Sequence, residues 1–139
     1  MREHPARRQT FPSVPISAGH ARRFVAGALD EAGLGHFSYT AALLVSELVA
    51  NAVLHSGTPF DVVVKAGADS VRVEVHDGTP ELPVPKHYSA MSGTGRGLVM
   101  VEQMSARWGA DRTASGKVVW FELDGRTTPA FDVMGVEAT

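Results

Sequence analysis

The sequence predicts an α+β domain, a two-layer sandwich in which a mixed, mostly antiparallel sheet carries helices packed on one face. Three observations lead there. The first half of the chain repeats apolar residues at helical spacing, much of the second half alternates them at strand spacing, and glycine-containing turns join strands as hairpins. With 139 residues and 44% hydrophobic content, a single domain buries roughly 70% of the surface its unfolded chain exposes. A charged fraction of 20% argues against disorder, and the absence of cysteine excludes disulfides, thiolate metal sites and cysteine nucleophiles. The formal charge of −2 argues against electrostatic adhesion to nucleic acid or to an anionic membrane. The first fifteen residues lack the apolar stretch of a signal peptide, and no apolar run is expected to approach the roughly 20 residues of a spanning helix. The expected location is a reducing cytoplasm.

Residues 1–9, with Arg2, Arg7 and Arg8, read as a flexible arm, residues 10–124 as the domain, and residues 125–139 as a tail without sustained period. A short edge strand is expected near residues 10–14. Ser17 stands where an N-cap belongs, and Ala21, Phe24, Val25, Ala28 and Leu29 recur at helical spacing until Gly33. Ser38 or Thr40 would cap a second helix with the stripe Ala41, Leu44, Val45, Leu48 and Ala52, ended by Ser56-Gly57. Residues 60–66 and 71–76 then read as strands around a turn at 67–70. Prolines 80, 83 and 85 exclude a central strand, leaving a long loop over 77–92. Glycines 93, 95 and 97 lead into a short helix through Leu98, Val101 and Met104. Residues 107–112 and 118–123 close a second hairpin around Ser115-Gly116, with Trp108 and Trp120 as core or sheet-face residues.

Three groups of residues carry chemistry. Glu47, Asn51 and His55 lie at i, i+4 and i+8, along one side of the second helix, and interrupt an otherwise apolar segment. An ordinary solvated helix face explains this spacing; so does a polar cavity in which the carboxylate accepts a proton and the amide oxygen binds a hard cation such as Mg²⁺. His55, at the helix end, reads as structural. Asp77-Gly78 ends a strand, but the prolines that follow deny it the partner strand of a hairpin. A carboxylate there, with a glycine that lets something flat approach, suits an acceptor for an exocyclic amine. The run from Gly93 to Leu98 opens a helix and offers backbone N–H groups to phosphate. It is neither a dinucleotide fingerprint nor a Walker loop, and G-x-S-x-G and H-E-x-x-H are absent from the sequence.

The order of these groups resembles the ATP-binding domain shared by gyrase, histidine kinases and mismatch-repair ATPases. Ser46-Glu-Leu-Val-Ala-Asn-Ala-Val-Leu-His55 is similar to its N box, Val75-His-Asp-Gly-Thr79 to its first glycine box, and Gly93-Thr-Gly-Arg-Gly-Leu98 to its second. A closer resemblance is to the small bacterial anti-sigma factor serine/threonine kinases, whose closing strands look like Arg107-Trp-Gly109 and residues 116–123. The likeness covers residues 11–123. It implies a Bergerat-type ATP-binding fold in which Asp77, backed by Gly78, accepts the adenine amino group and Asn51 ligates the Mg²⁺ on the phosphates. Gly93, Thr94, Gly95, Arg96, Gly97 and Leu98 would hold the nucleotide, the amides of residues 95–98 on phosphate oxygens. Glu47 would polarise the attacking hydroxyl, and the loop 81–92 would be a lid. The function implied is that of an anti-sigma regulator, a kinase that phosphorylates an anti-anti-sigma (STAS) protein and sequesters a sigma factor. The alternative is an ATP-dependent binding switch without transfer. Its partners would be proteins rather than DNA or membrane, with a homodimer formed through the arm and first helix.

Overall fold

Alternating Val71, Val73 and Val75 against Arg72, Glu74 and His76 requires a sheet with one dry face and one wet one. A computed structural model shows that sheet; it describes residues 5–82 and 93–125, with the backbone alone for 93–97. The elements are β1 (Arg7–Phe11), α1 (Ser17–Glu31), α2 (Ser38–Asn51), β2 (Phe60–Ala66), β3 (Ser70–Asp77), α3 (Gly93–Met104), β4 (Arg107–Thr113) and β5 (Gly116–Asp124). A 3₁₀ turn, Gly35–Phe37, leads into α2, and a π turn, Ala52–Ser56, extends it. The strands lie in the order β1-β2-β3-β5-β4, with helices on one side.

Every neighbouring pair in this sheet is antiparallel, where a mixed sheet was expected. The reason is the place of β5. The crossover through α3 brings β4 back running in the same direction as β3, but the final hairpin inserts β5 between them. On the inner face Val71, Val73 and Val75 stand opposite Leu123, Phe121 and Val119. Above them α1 contributes Val25 and Leu29, and α2 contributes Leu44, Val45 and Val49, all without exposure. α2 packs on α1, α3 and β3.

Several boundaries differ from expectation. β1 ends at Phe11 because Pro12 has no N–H to continue the ladder. Residues 7–9 of the expected arm are therefore paired with Val62 to Val64, and the Phe11 and Phe60 rings stack at 5.6 Å. Ser17 is not a cap: Ile16 holds that position, and the Ser17 hydroxyl donates to the Pro12 carbonyl at 2.7 Å. Neither Ser38 nor Thr40 caps α2, where Phe37 stands at the cap position. In both places preceding carbonyls take the leading N–H groups, Val14 from Ser17 at 3.0 Å and Gly35 from Ser38. Gly35–Ser56 also forms one helical run of 22 residues, long and apolar enough by composition to cross a membrane, so the expectation of no such run is corrected. Its α2 part packs on α1, α3 and the sheet, with Ala41, Leu44, Val45 and Val49 fully buried.

The outer face holds a charged network. Glu74 is 6% exposed and accepts from Arg72 Nε at 2.7 Å and His76 Nε2 at 2.8 Å, with Lys65 Nζ at 3.2 Å. Arg72 also reaches Glu122 at 3.0 Å, and its guanidinium lies 4.0 Å over the Trp120 ring. Gly109 lies opposite Trp120, where a Cβ would stand 2.6 Å from the indole. Trp108, on the other face, packs against the core. Burial by itself would raise the Glu74 pKa, but the donors His76, Arg72 and Lys65 outweigh it and hold the group at about 2 instead of 4.5. A depressed folded-state value means that this stabilisation is complete above pH 4.5 and is lost as pH falls towards 2. The expected result is a Tm that declines through that window and a shallower decline for Glu74→Gln, measured by thermal denaturation at stepped pH.

Candidate functional site

The buried stripe of α2 leaves Glu47 and Asn51 half-exposed, one helical turn apart. Neither makes a hydrogen bond or ion pair among the described residues. Beside them, Ser46 donates to the Ala42 carbonyl at 2.7 Å and accepts from Arg22 at 3.0 Å, tying α2 to α1. The helix then widens into the π turn, which carries an exposed His55 and ends at Gly57 with φ +68°. Such turns widen a helix by one residue and recur at functional sites. Here it leads the chain directly to Thr58 and the start of β2.

Asp77 is in phase with Val71, Val73 and Val75 and so falls on the helix-covered face, at the end of the core. Lys117, directly opposite on β5, is in phase with Val119, Phe121 and Leu123. The sheet thus brings an acid and a base together inside the domain. Lys117 Nζ donates to Asp77 Oδ1 at 3.0 Å and Oδ2 at 2.8 Å, and the two residues are 5% and 7% exposed. The Thr79 N–H adds a bond to Oδ1 at 2.9 Å. Gly78 N–H donates to Thr58 Oγ1 at 2.9 Å, and the Thr58 hydroxyl is bonded in turn to that of Ser56. A Cβ on Gly78 would stand 3.1 Å from Thr58 Oγ1, so the close approach of these two segments favours glycine. The end of the α2 run is in this way stitched to Asp77-Gly78.

The third segment starts earlier than expected: α3 begins inside the glycine cluster, at Gly93. In a helix with that start, the N–H groups of residues 93–96 lack an intrahelical acceptor, while those of Gly97 and Leu98 point back one turn. The Leu98 side chain is 2% exposed and belongs to the core with Val101 and Met104. The expected lid lies mostly outside the described residues, as do the side chains of Thr94 and Arg96.

Residues 39–127 match the family of histidine kinase-, DNA gyrase B- and HSP90-like ATPases. The chain belongs to this family. No curated protein matches it. Membership makes it an ATP-binding protein of this ATPase superfamily, and the family's span covers α2, β3 and the glycine-rich start of α3. Asn51 offers an amide oxygen of the kind a hard cation takes, and among the described residues no group of three His, Asp or Glu could hold an ion. A groove lined by Ala28, Ala32, Val64 and Ala66 together with the charged Arg7 and Glu31 lies at the far end of the sheet from Asp77 and forms no part of this site.

Sequence reasoning missed Lys117 and Thr58. Lys117 lies between the expected turn at Ser115-Gly116 and the expected strand 118–123 and was given no role; the signal that places it is its phase with Val119, Phe121 and Leu123. Thr58 had no signal, because its role depends on two segments meeting.

Proposed function

We propose that this ATPase-family domain is a cytoplasmic anti-sigma regulator that uses Mg-ATP to phosphorylate a serine or threonine of a STAS-type partner and also sequesters a sigma factor. The observation that carries the ATP part of this reading is the position of Asp77, an acid buried on the inner face and joined through Gly78 and Thr58 to the end of the helix bearing Asn51 and Glu47. Asp77 would accept the adenine N6 amino group, Asn51 would share in the Mg²⁺ shell, and the N–H groups that open α3 would face the phosphates. Glu47 would take the proton of the attacking hydroxyl as its oxygen bonds to the γ-phosphorus and the bond to ADP breaks. Such transfer is mainly positioning and charge neutralisation, which this small set supplies.

The test is transfer of labelled γ-phosphate to STAS proteins. Glu47→Ala is expected to lower transfer about 10²–10⁴-fold while the affinity for ATP is kept. Transfer undiminished in that variant, or absent in the parent at saturating Mg-ATP, overturns the kinase assignment. The second reading is an ATP-dependent binding switch, and it is favoured by Glu47 having no partner among the described residues to orient it as a base. The switch predicts that a sigma-factor complex differs in affinity between ADP and ATP, with Glu47→Ala binding as the parent does. Equal affinity in both nucleotide states would remove it.

A further inference from the structure

Asp77 does not stand alone. A buried ion pair contributes little to stability compared with two apolar residues in the same space, and the neighbouring pair on this face, Val75 with Val119, is apolar. The sheet could have continued in the same way at Asp77 and Lys117. Instead it places an ammonium group with three N–H donors against a carboxylate, and among the described residues its hydrogen bonds all go to that carboxylate, from Nζ to Oδ1 and Oδ2. An ammonium can direct one further N–H to an acceptor beside Asp77. Oδ2, which accepts only Lys117 among the described residues, also has lone-pair capacity left, while Oδ1 is shared with the Thr79 N–H.

We propose that Lys117 is a specificity-determining residue of the nucleotide site, donating to N1 of adenine while Asp77 accepts from N6. This rests on the reading of Asp77 as the adenine acceptor. The chemistry is that of adjacent, opposite groups. Adenine presents an amino donor at position 6 and an acceptor at position 1; guanine presents an acceptor at position 6 and an N–H donor at position 1. A base whose orientation is fixed by its ribose and phosphates therefore satisfies both Asp77 and Lys117 if it is adenine, and opposes both if it is guanine. A lone aspartate would reject guanine at one atom, and the pair rejects it at two. A site left with unpaired polar groups discriminates far more strongly than shape does.

The experiment is isothermal titration of the full chain with Mg-ATP and with Mg-1-deaza-ATP, in which N1 is replaced by C–H and the amino group is kept. The parent is expected to bind 1-deaza-ATP about 10- to 100-fold more weakly, as a charged donor loses its acceptor. Lys117→Met is expected to bind the two nucleotides alike. Equal binding by the parent, or a preference for ATP that survives in Lys117→Met, overturns the role of Lys117 and leaves ATP binding standing. Failure of the parent to bind either nucleotide overturns the site as a whole. Should Lys117→Met not fold, the parent decides by NMR: the Lys117 ¹⁵Nζ resonance is expected to shift on adding ATP and to shift differently with 1-deaza-ATP. An identical response to both overturns the proposal.

Discussion

Asp77→Asn is expected to lose about 3–5 kcal/mol of stability, and the paired change Asp77→Leu with Lys117→Met to regain most of it while showing no thermal shift with Mg-ATP. The asymmetry follows from burial. Lys117 Nζ sits 2.8 Å from Asp77 Oδ2 with both side chains almost entirely covered, so removing the acid leaves an ammonium without its counter-ion in the protein interior. Removing both charges removes the desolvation cost with them, and leucine and methionine extend the line of Val75 and Val119. For a domain of this size the single change amounts to a Tm lower by roughly 10 °C or more. In the parent, ATP at 100 times Kd adds about 2.7 kcal/mol, so nucleotide binding and stability are read in the same scan. The paired variant matters because loss of the ATP shift in Asp77→Asn alone could be a folding defect. A single variant as stable as the parent would contradict the buried pair. An ATP shift retained in the stable double variant would remove Asp77 from the site.

Gly116→Ala is expected to lose about 3 kcal/mol and to weaken ATP binding at the same time. Gly116 opens β5 beside the end of β3, where an added Cβ would overlap the Asp77 carbonyl oxygen and stand 2.7 Å from Gly78 Cα. These neighbours are backbone, and they cannot rotate aside as a side chain would. Relief requires β5 to move off β3 at the very point where Asp77 and Lys117 meet. Gly27→Ala is the control. Nothing lies within 4 Å of the methyl it would add in the middle of α1, so it is expected to gain about 0.5–1 kcal/mol through helix propensity. Denaturant unfolding and nucleotide titration of the two variants should give changes of opposite sign in stability. A neutral Gly116→Ala would mean that the two strand ends do not approach so closely.

The strands were legible because alternation is a strong local signal, and Val71, Val73 and Val75 could be assigned to the dry face without knowing their partners. The half-exposed positions of Glu47 and Asn51 were legible for a related reason: polar residues that break an apolar helix segment need a cavity or solvent beside them. The misread features depend on what another segment supplies. Ser17 and Ser38 have the right chemistry for caps, but backbone carbonyls from the preceding turns had already taken the leading N–H groups. Glu74 occupies a position that alternation assigns to water, yet three cationic or imidazole donors cover it. The strand order was not legible either, because the insertion of β5 between β3 and β4 turns on the hairpin folding inward rather than outward.

The Asp77–Lys117 pair joins residues 40 positions apart, on two strands that touch only when the last hairpin has docked into the middle of the sheet. A chain in which β5 is undocked has no Asp77–Lys117 pair, so a nucleotide held by that pair would bind the closed sheet and not one whose last hairpin has come away. Saturating Mg-ATP is therefore expected to slow hydrogen exchange at the β5 amides, by an amount that follows the free energy of binding.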